Sequence, residues 1–427
     1  MIQAEARLWA PERASLTPPP DLALIVLTVL VFGVSGGMLW LVGINYDGLT
    51  GSAAQKIHPA TYLSIVLLAW TMARVGNPVA NAVTALERRP AGLLLGVMGI
   101  GLAVQIVVRG GAGIAGAIDT FLLPAIVAIL FIGCDGRTMK RIETTIHVVM
   151  AVNAALGLLE FVSGQRFFPY RLDGALLEYD TRSVALQGHP LTNATLTACY
   201  VVALAAGGGS LGAMRRLVVI GLQIAALVAF GGRSGIVVTL VLGGGLGLIG
   251  MVRAVMRGQI PLLAVAGAAF ALPLLGLTLA GLAGFGFFDA LLGRFVDDGG
   301  SANARVVVLD LFGRLSLREL VIGPDPTVID SMRRINGLAM GLENPIVRLL
   351  LYQGAAMTAL LTVALALFLY EIGQRCRPGI AMPMITFAVL ANTYESVGSK
   401  TTLVAKFVIL LLALYRAPAP EEETDMA

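Results

Sequence analysis

FGFFDALLGRFVDDGGSANARVVVLDLFGRLSLRELVIGPDPTVIDSMRRINGLAMGLENP, residues 285–345, is a long polar interruption in a chain that otherwise reads as one apolar run after another. It carries Arg294, Asp297, Asp298, Arg305, Asp310, Arg314, Arg318, Glu319, Asp325, Asp330, Arg333, Arg334 and Glu343. Apolar residues recur inside it at helical spacing, at Val306, Leu309, Leu311 and Leu315 and again at Ile329, Met332, Ile335 and Leu338. That spacing predicts a small, partly helical cap and not a slack linker. A charged cap flanked by apolar spans puts the working side of the protein at that end.

Around the cap, composition sets the class. The 427 residues are 57% hydrophobic and 13% charged, with a mean hydropathy of +0.84, where a soluble protein carries about 25% charged residues. Together with runs of roughly 20 apolar residues this predicts an all-α, polytopic helical membrane bundle. Candidate spans fall near 22–44, 58–74, 91–108, 117–133, 144–163, 190–206, 216–231, 235–252, 261–284, 346–370, 382–398 and 400–416, about twelve by the length rule. The expected organisation is a cytoplasmic N-terminal tail (1–21), transmembrane helices 1–9 (22–284), a large periplasmic loop (285–345), transmembrane helices 10–12 (346–416) and a disordered cytoplasmic tail (417–427). The apolar run after Pro18-Pro19-Pro20 is too long for a cleaved signal, so the first span reads as uncleaved.

Lys and Arg set the orientation. With the N-terminus inside, the inside loops hold Arg74, Arg88 and Arg89; Arg137, Lys140 and Arg141; Arg215 and Arg216; Arg253 and Arg257; and Arg375 and Arg377. The outside loops are then 45–57, 109–116, 164–189, 232–234, 285–345 and 399. The net charge of +4 is spread over short loops between spans, which is no nucleic-acid signature. Cys134, Cys199 and Cys376 are far apart and give neither a disulfide framework nor a metal spacing. His58, His147 and His189 do not cluster, so no metal and no cofactor is expected. Gly243-Gly244-Gly245-Leu246-Gly247 lies within a span with no strand before it, and reads as close helix packing in preference to phosphate binding.

Three features at the outer face carry candidate chemistry. In Thr181-Arg182-Ser183-Val184-Ala185-Leu186-Gln187-Gly188-His189-Pro190-Leu191-Thr192-Asn193 the loop 164–189 closes and a span opens, with Pro190 suited to the first helical turn. Here Arg182 and His189 fit a site, and they equally fit a snorkelling anchor and a helix cap. Gly231-Gly232-Arg233-Ser234-Gly235 puts an arginine in a tight turn between apolar spans. Such an arginine needs an anion or a carboxylate, and the glycines and the following helix start favour an anion. Glu343-Asn344-Pro345 opens the span near Ile346; its carboxylate suits a site or a helix start, and Asn344 alternatively the N-cap.

Taken together these features resemble the superfamily of O-antigen ligases and Wzy-type polysaccharide polymerases, integral membrane glycosyltransferases of the GT-C kind. The resemblance covers most of the membrane domain in pattern and topology. It rests on Arg182 with His189-Pro190 and Asn193 at the entry to a span, Arg233 at an outer turn, and a large loop between late spans with Arg305 early in it. In the ligases that loop ends in a histidine, a small polar residue, a spacer and a glycine. Glu343 stands where the histidine would be, Asn344 and Gly354 fit, and Met357 departs. The absent histidine points to the polymerase or exopolysaccharide branch.

The resemblance implies an enzyme of the bacterial inner membrane. Its donor is an undecaprenyl-pyrophosphate-linked oligosaccharide in a lipid groove, and its acceptor a sugar hydroxyl at the periplasmic face. A flippase and a chain-length regulator are implied as partners. Arg182, Arg233 and Arg305 would bind the pyrophosphate through planar guanidinium forks. Glu343, with His189 second, would take the acceptor's proton. The competing functions are a ligase moving finished glycan to an acceptor and, in a different class, a transporter of lipid-linked sugar.

Overall fold

Inside hydrocarbon a backbone must satisfy its own N–H and C=O groups, so apolar runs of this length fold as helices. The computed structural model describes residues 16–74, 77–111, 113–172, 174–178, 180–258, 283–284, 288–289, 293, 301–338, 341–342 and 344–416; for 251, 254 and 301–306 only the backbone is described. The first half comprises α1 (Asp21–Gly33), α2 (Gly36–Leu41), α3 (Pro59–Arg74), α4 (Pro78–Arg88), α5 (Pro90–Val108), α6 (Ile114–Leu130) and α7 (Gly136–Ser163). A two-residue hairpin, β1 (Arg171–Leu172) with β2 (Ala175–Leu176), precedes α8 (Pro190–Ala205), α9 (Ala213–Phe230), α10 (Arg233–Val238) and α11 (Gly244–Met256). The π turn Thr239–Gly243 joins the last two. The cap follows as α12 (Ser301–Phe312), α13 (Leu317–Ile322) and α14 (Pro326–Ile335), then α15 (Pro345–Gln374), α16 (Ala381–Ala391) and α17 (Leu403–Leu414). Starts are encoded locally. Pro opens α4, α5, α8, α14 and α15, and Asn77, Asp135, Ser316, Asp325 and Asn344 cap the next N–H groups.

The chain is an all-α membrane protein. Among the described residues five helices are long and apolar enough to cross a bilayer: Pro90–Val108, Gly136–Ser163, Ala213–Phe230, Arg233–Gly250 and Pro345–Gln374. Shorter apolar helices pack between them. The core is α17, whose twelve residues are all buried, with α1, α6, α7, α8 and α15 against it. A helix that is apolar all round has no face to show to water and takes the centre.

The two ends of the bundle differ chemically. At one end Arg89 and Glu371 are 3.6 Å apart, Asp21 meets Arg141 at 2.7 Å, and Arg377 donates to the carbonyls of Gly207, Gly209 and Leu414. The other end collects the starts of α6 and α8, the α9–α10 turn, the cap and the segment 392–402.

Several span edges differ from the hydropathy reading. The expected span 22–44 breaks after Gly33, and the carbonyls freed at Phe32 and Val34 accept from Gln187 Nε2 (2.8 Å) and His58 Nε2 (3.1 Å). The expected spans 382–398 and 400–416, separated by one residue, are helices ending at Ala391 and starting at Leu403. The segment between them is rich in Asn, Ser, Thr and Lys, whose side chains bond locally and end helices; window averaging had absorbed it into its apolar flanks. The expected span 261–284 lies outside the described residues except at its last two positions.

The cap has its own small core of Val308, Leu311, Ile329, Leu338 and Leu342 against Leu351 of α15. Leu309 and Ile335, which share the helical spacing read in the sequence, are 62% and 81% exposed. Of the residues in the sequence stripe, Leu311, Leu315, Ile329, Met332 and Leu338 pack in this core, joined on α12 by Val307, Val308 and Phe312.

A break in α15 holds the cap down. Gly354 has φ +80° and ψ 167° inside the helix, and a Cβ there would lie 2.4 Å from the Gly323 nitrogen at the end of α13. Glycine alone tolerates both the torsion and the approach. Arg109 of α5 bonds the carbonyls of Tyr352 (3.0 Å) and Pro324, and Gln105 those of Ile322 (3.0 Å) and Gln353 (3.1 Å).

Candidate functional site: a cationic cleft at one end of the bundle

A polar cleft of about 890 Å³ opens at the end that carries the cap. Its walls come from the chain after α1, the loop 170–189, the α9–α10 turn, α14, the first turns of α15 and the segment 392–402. Arg182, Arg233 and His189 all line it, so three residues far apart in sequence share one cavity.

Each is placed by local structure. Gly231 closes α9 in the left-handed region (φ +64°), and Gly232, whose Cβ would lie 2.3 Å from the Ala194 Cβ, lets the turn rest on α8. Arg233 is therefore the first residue of α10. Arg182 is held by Asp180, whose carboxylate accepts from Nε (3.0 Å) and Nη2 (2.5 Å), so that edge of the guanidinium is occupied. His189 caps α8, its ring accepting from Leu191 N–H at 3.2 Å, and lies between Tyr170 (5.4 Å, edge-on) and Tyr394 (5.8 Å, stacked). Burial, and then the charge on Arg182, push the His189 imidazole down from its ordinary value to about 4. A neutral ring with Nδ1 accepting carries its proton on Nε2. As placed, His189 is a weak base whose Nδ1 is already occupied by the Leu191 N–H.

The loop that presents Arg182 and His189 is fastened to α7. Glu160 Oε2 accepts from the N–H groups of Val184 (2.7 Å) and Ala185 (2.9 Å), and its Oε1 from Phe167 N–H (3.1 Å). Asn153 accepts from Leu186 N–H at 3.1 Å, and Ser183 donates to the Gly157 carbonyl at 2.8 Å. Ala185 sits at φ +38°, a torsion that persists in a non-glycine residue because these bonds over-determine it. Asn193 belongs to this fastening. It is fully buried, accepts from Asn153 Nδ2 (2.8 Å) and donates to the Val184 carbonyl (2.5 Å), and does not line the cleft.

The remaining sequence candidates are placed differently. Asn344 is the N-cap of α15, its side chain accepting from the N–H groups of Ile346 and Val347 at 3.0 Å. Arg305 lies in the first half of α12, among the residues 301–306 for which only the backbone is described. Glu343 lies outside the described residues. Its neighbour Leu342 donates its N–H to Glu395 at 2.5 Å.

Sequence reading missed four groups that the fold delivers to the cleft. Arg348 of α15 and Glu395 form an ion pair at 2.6 Å. Burial alone would raise the Glu395 carboxyl, but the Arg348 charge and the Leu342 N–H more than offset it and hold it below its ordinary value. Lys400 packs 3.5 Å from the Tyr46 ring centroid. Lys406 lines the cleft from within α17. It is a lone charge in an apolar run, and that was the available signal. Behind the cleft Asp119 of α6 accepts from Tyr46 Oη (3.0 Å), His58 N–H (3.0 Å) and Thr61 Oγ1 (2.6 Å), tying three segments together. Among the described residues no group of three His, Cys, Asp or Glu side chains is placed to hold a metal ion.

The cleft thus offers several guanidinium and ammonium groups, neutral donors, and aromatic faces. Those suit a ligand that combines oxyanions with hydroxylated rings. No protein-family model, curated protein or solved structure matches the chain.

Proposed function

We propose that the chain is a membrane glycosyltransferase. In this reading it polymerises undecaprenyl-pyrophosphate-linked oligosaccharide repeat units at the periplasmic face of the bacterial inner membrane, in exopolysaccharide or O-antigen biosynthesis. One observation carries the proposal: Arg182, Arg233 and His189, chosen from separate stretches of sequence, line a single polar cleft at the cap end of the bundle. The full topology is about twelve spans, with the basic loops inside and the cleft outside.

In the reaction the acceptor hydroxyl attacks the anomeric carbon of the donor saccharide. The bond to the pyrophosphate oxygen breaks, and lipid pyrophosphate leaves with the electron pair. Arg233, at a helix start, and Arg182, oriented by Asp180, face the charge that develops on the leaving group. His189 donates to a saccharide or phosphate oxygen. Glu343 is the base, because the His189 ring is a weak base whose Nδ1 already accepts from the Leu191 N–H.

The test is the set of lipid-linked intermediates in a deletion strain complemented with Arg233→Ala. Single repeat units on undecaprenyl pyrophosphate are expected. Long polymer accumulating on the lipid would instead identify a ligase. Normal polymer with normal protein levels would sink the proposal.

A further inference from the structure

Of the chain's 30 basic residues only four are lysines, and three of these, Lys56, Lys400 and Lys406, line the cleft. They gather at one side of it. Lys400 Nζ donates to the Tyr46 carbonyl and lies 3.5 Å from the Lys56 carbonyl. Lys56 Nζ donates to the Leu49 carbonyl at 2.5 Å. Lys406 enters from below, four residues past the α17 cap Thr402, hence about 6 Å inside the helix start. Of the five arginines that line the same cleft, four lie elsewhere: Arg182 on Asp180, Arg233 at the α9–α10 turn, Arg333 on Asp330 and Arg348 on Glu395; the fifth, Arg171, lies over the Trp40 ring near the Gly48–Leu49 segment that Lys56 bonds.

Lys406 is 3% exposed, and its Nζ donates to Gln187 Oε1 at 2.5 Å. Among the described residues the ion pairs of the cleft engage Arg182, Arg333, Arg348 and Lys400, and none engages Lys406. A buried ammonium with one neutral acceptor is costly unless an anion joins it. Gln187 is committed on its other side to the Phe32 carbonyl, so its oxygen is held in place and does not follow the lysine. An unbranched ammonium suits a single oxyanion as a point charge, where an arginine fork suits phosphate.

We propose that the lysine side of the cleft is a subsite for an oxyanion on the saccharide, so that the glycan handled is acidic, with a carboxylate of the uronate kind held by Lys406 and Lys400. This rests on the reading of the cleft as a glycosyl-transfer site and adds the class of sugar. The pyrophosphate stays with the arginines, and the two anions of one substrate bind at separate places.

The experiment is calorimetric titration of the purified full-length protein in detergent with glucuronate, glucose and inorganic pyrophosphate. Wild type is expected to prefer glucuronate to glucose by about tenfold, the worth of one charged hydrogen bond. Lys406→Met removes that preference and leaves pyrophosphate affinity unchanged, whereas Arg233→Ala does the reverse. Lys400→Gln, at a less buried lysine, reduces the preference in part and serves if Lys406→Met does not fold. Equal affinity of wild type for glucose and glucuronate overturns the subsite. So does a Lys406→Met protein that loses pyrophosphate and glucuronate together, since the lysine then belongs to the pyrophosphate. A glucuronate preference that depends on Lys406, with no pyrophosphate binding at all, supports the subsite and sinks the transfer reading.

Discussion

Glu160→Gln should loosen the loop that presents Arg182 and His189 while leaving the bundle intact. Glu160 sits near the end of α7 and accepts three backbone N–H groups, those of Val184, Ala185 and Phe167. Glutamine has the same shape but replaces one oxygen with a donor. Whichever way the amide turns, at least one backbone N–H then points at an NH2 group. Leaving a buried donor unmatched costs about 1–3 kcal/mol. The strained torsion at Ala185 (φ +38°) loses a restraint at the same time. Most of that energy appears as easier local opening of 182–189, because the bonds Glu160 accepts all run to loop residues 167, 184 and 185 and none to α17. Amide exchange in that peptide should therefore speed up about 10- to 100-fold, at 1.4 kcal/mol per factor of ten. The assay is hydrogen exchange with mass spectrometry on the full-length protein in detergent, with a peptide from Leu403–Leu414 as the rigid reference. If the loop moves by about 1 Å, glycosyl transfer falls roughly a hundredfold. Unchanged exchange at 182–189 would refute the argument. So would an equal rise in the reference peptide, which would mean global destabilisation and no dedicated fastening.

Arg233→Lys keeps the charge and loses the planar fork, so polymer formation should fall about a hundredfold, about 3 kcal/mol of transition-state stabilisation; near-normal polymer would remove Arg233 from the leaving-group site. Gly354→Ala places a Cβ 2.4 Å from the Gly323 nitrogen at a residue with φ +80°. It should undock the cap, seen as protease cleavage within 301–338 at concentrations that spare wild type. Burial and Arg182 lower the His189 pKa to about 4, so the unfolded chain takes up a proton that the folded one refuses. Stability is lost as pH falls from about 6.5, the ordinary histidine value, to about 4, and His189→Gln should flatten that part of the acid limb. In a cysteine-free background, Ser331→Cys should react with an impermeant thiol reagent on intact spheroplasts and Arg137→Cys should not; the opposite pattern would invert the topology.

The helices were legible because hydrocarbon leaves a backbone few options, and a run such as Leu403–Leu414 has no polar face to mistake. Their ends were not legible where polarity changes gradually. Asn392 to Thr402 contains enough Ser, Thr and Asn to end two helices, yet it is short and lies between two long apolar runs, so the expected spans ran into it. The break after Gly33 was hidden for another reason. Its free carbonyls are satisfied by His58 and Gln187, and no local pattern announces a partner so far along the chain. In the cap, period alone found the helices and most of their packed residues, but could not tell these from Leu309 and Ile335, which are apolar and exposed.

The same division runs through the site. Arg182, Arg233 and His189 could be singled out because they stand at the ends of spans, where a charge next to an apolar run is conspicuous and a helix start offers N–H groups. Glu160, Asp119 and Asn153 could not, because they lie inside or at the very edge of helices, and Asn193, which the resemblance did single out, turned out to be one of the same kind. Their role is to accept or give hydrogen bonds to backbone that arrives from elsewhere in the chain. A polar residue in a span costs energy unless it is matched, so its presence signals a partner without naming one. Lys406 is the clearest case. It went unread, although a lone ammonium in an apolar helix is a signal, and sequence offers no reason to choose among a carboxylate, a carbonyl and a ligand as its partner. The fold narrows that choice to Gln187 and the cleft. What the fold adds to the sequence is therefore mostly the identity of distant partners. The residues left with a neutral partner and an opening to solvent are the ones from which a ligand's charge can be read.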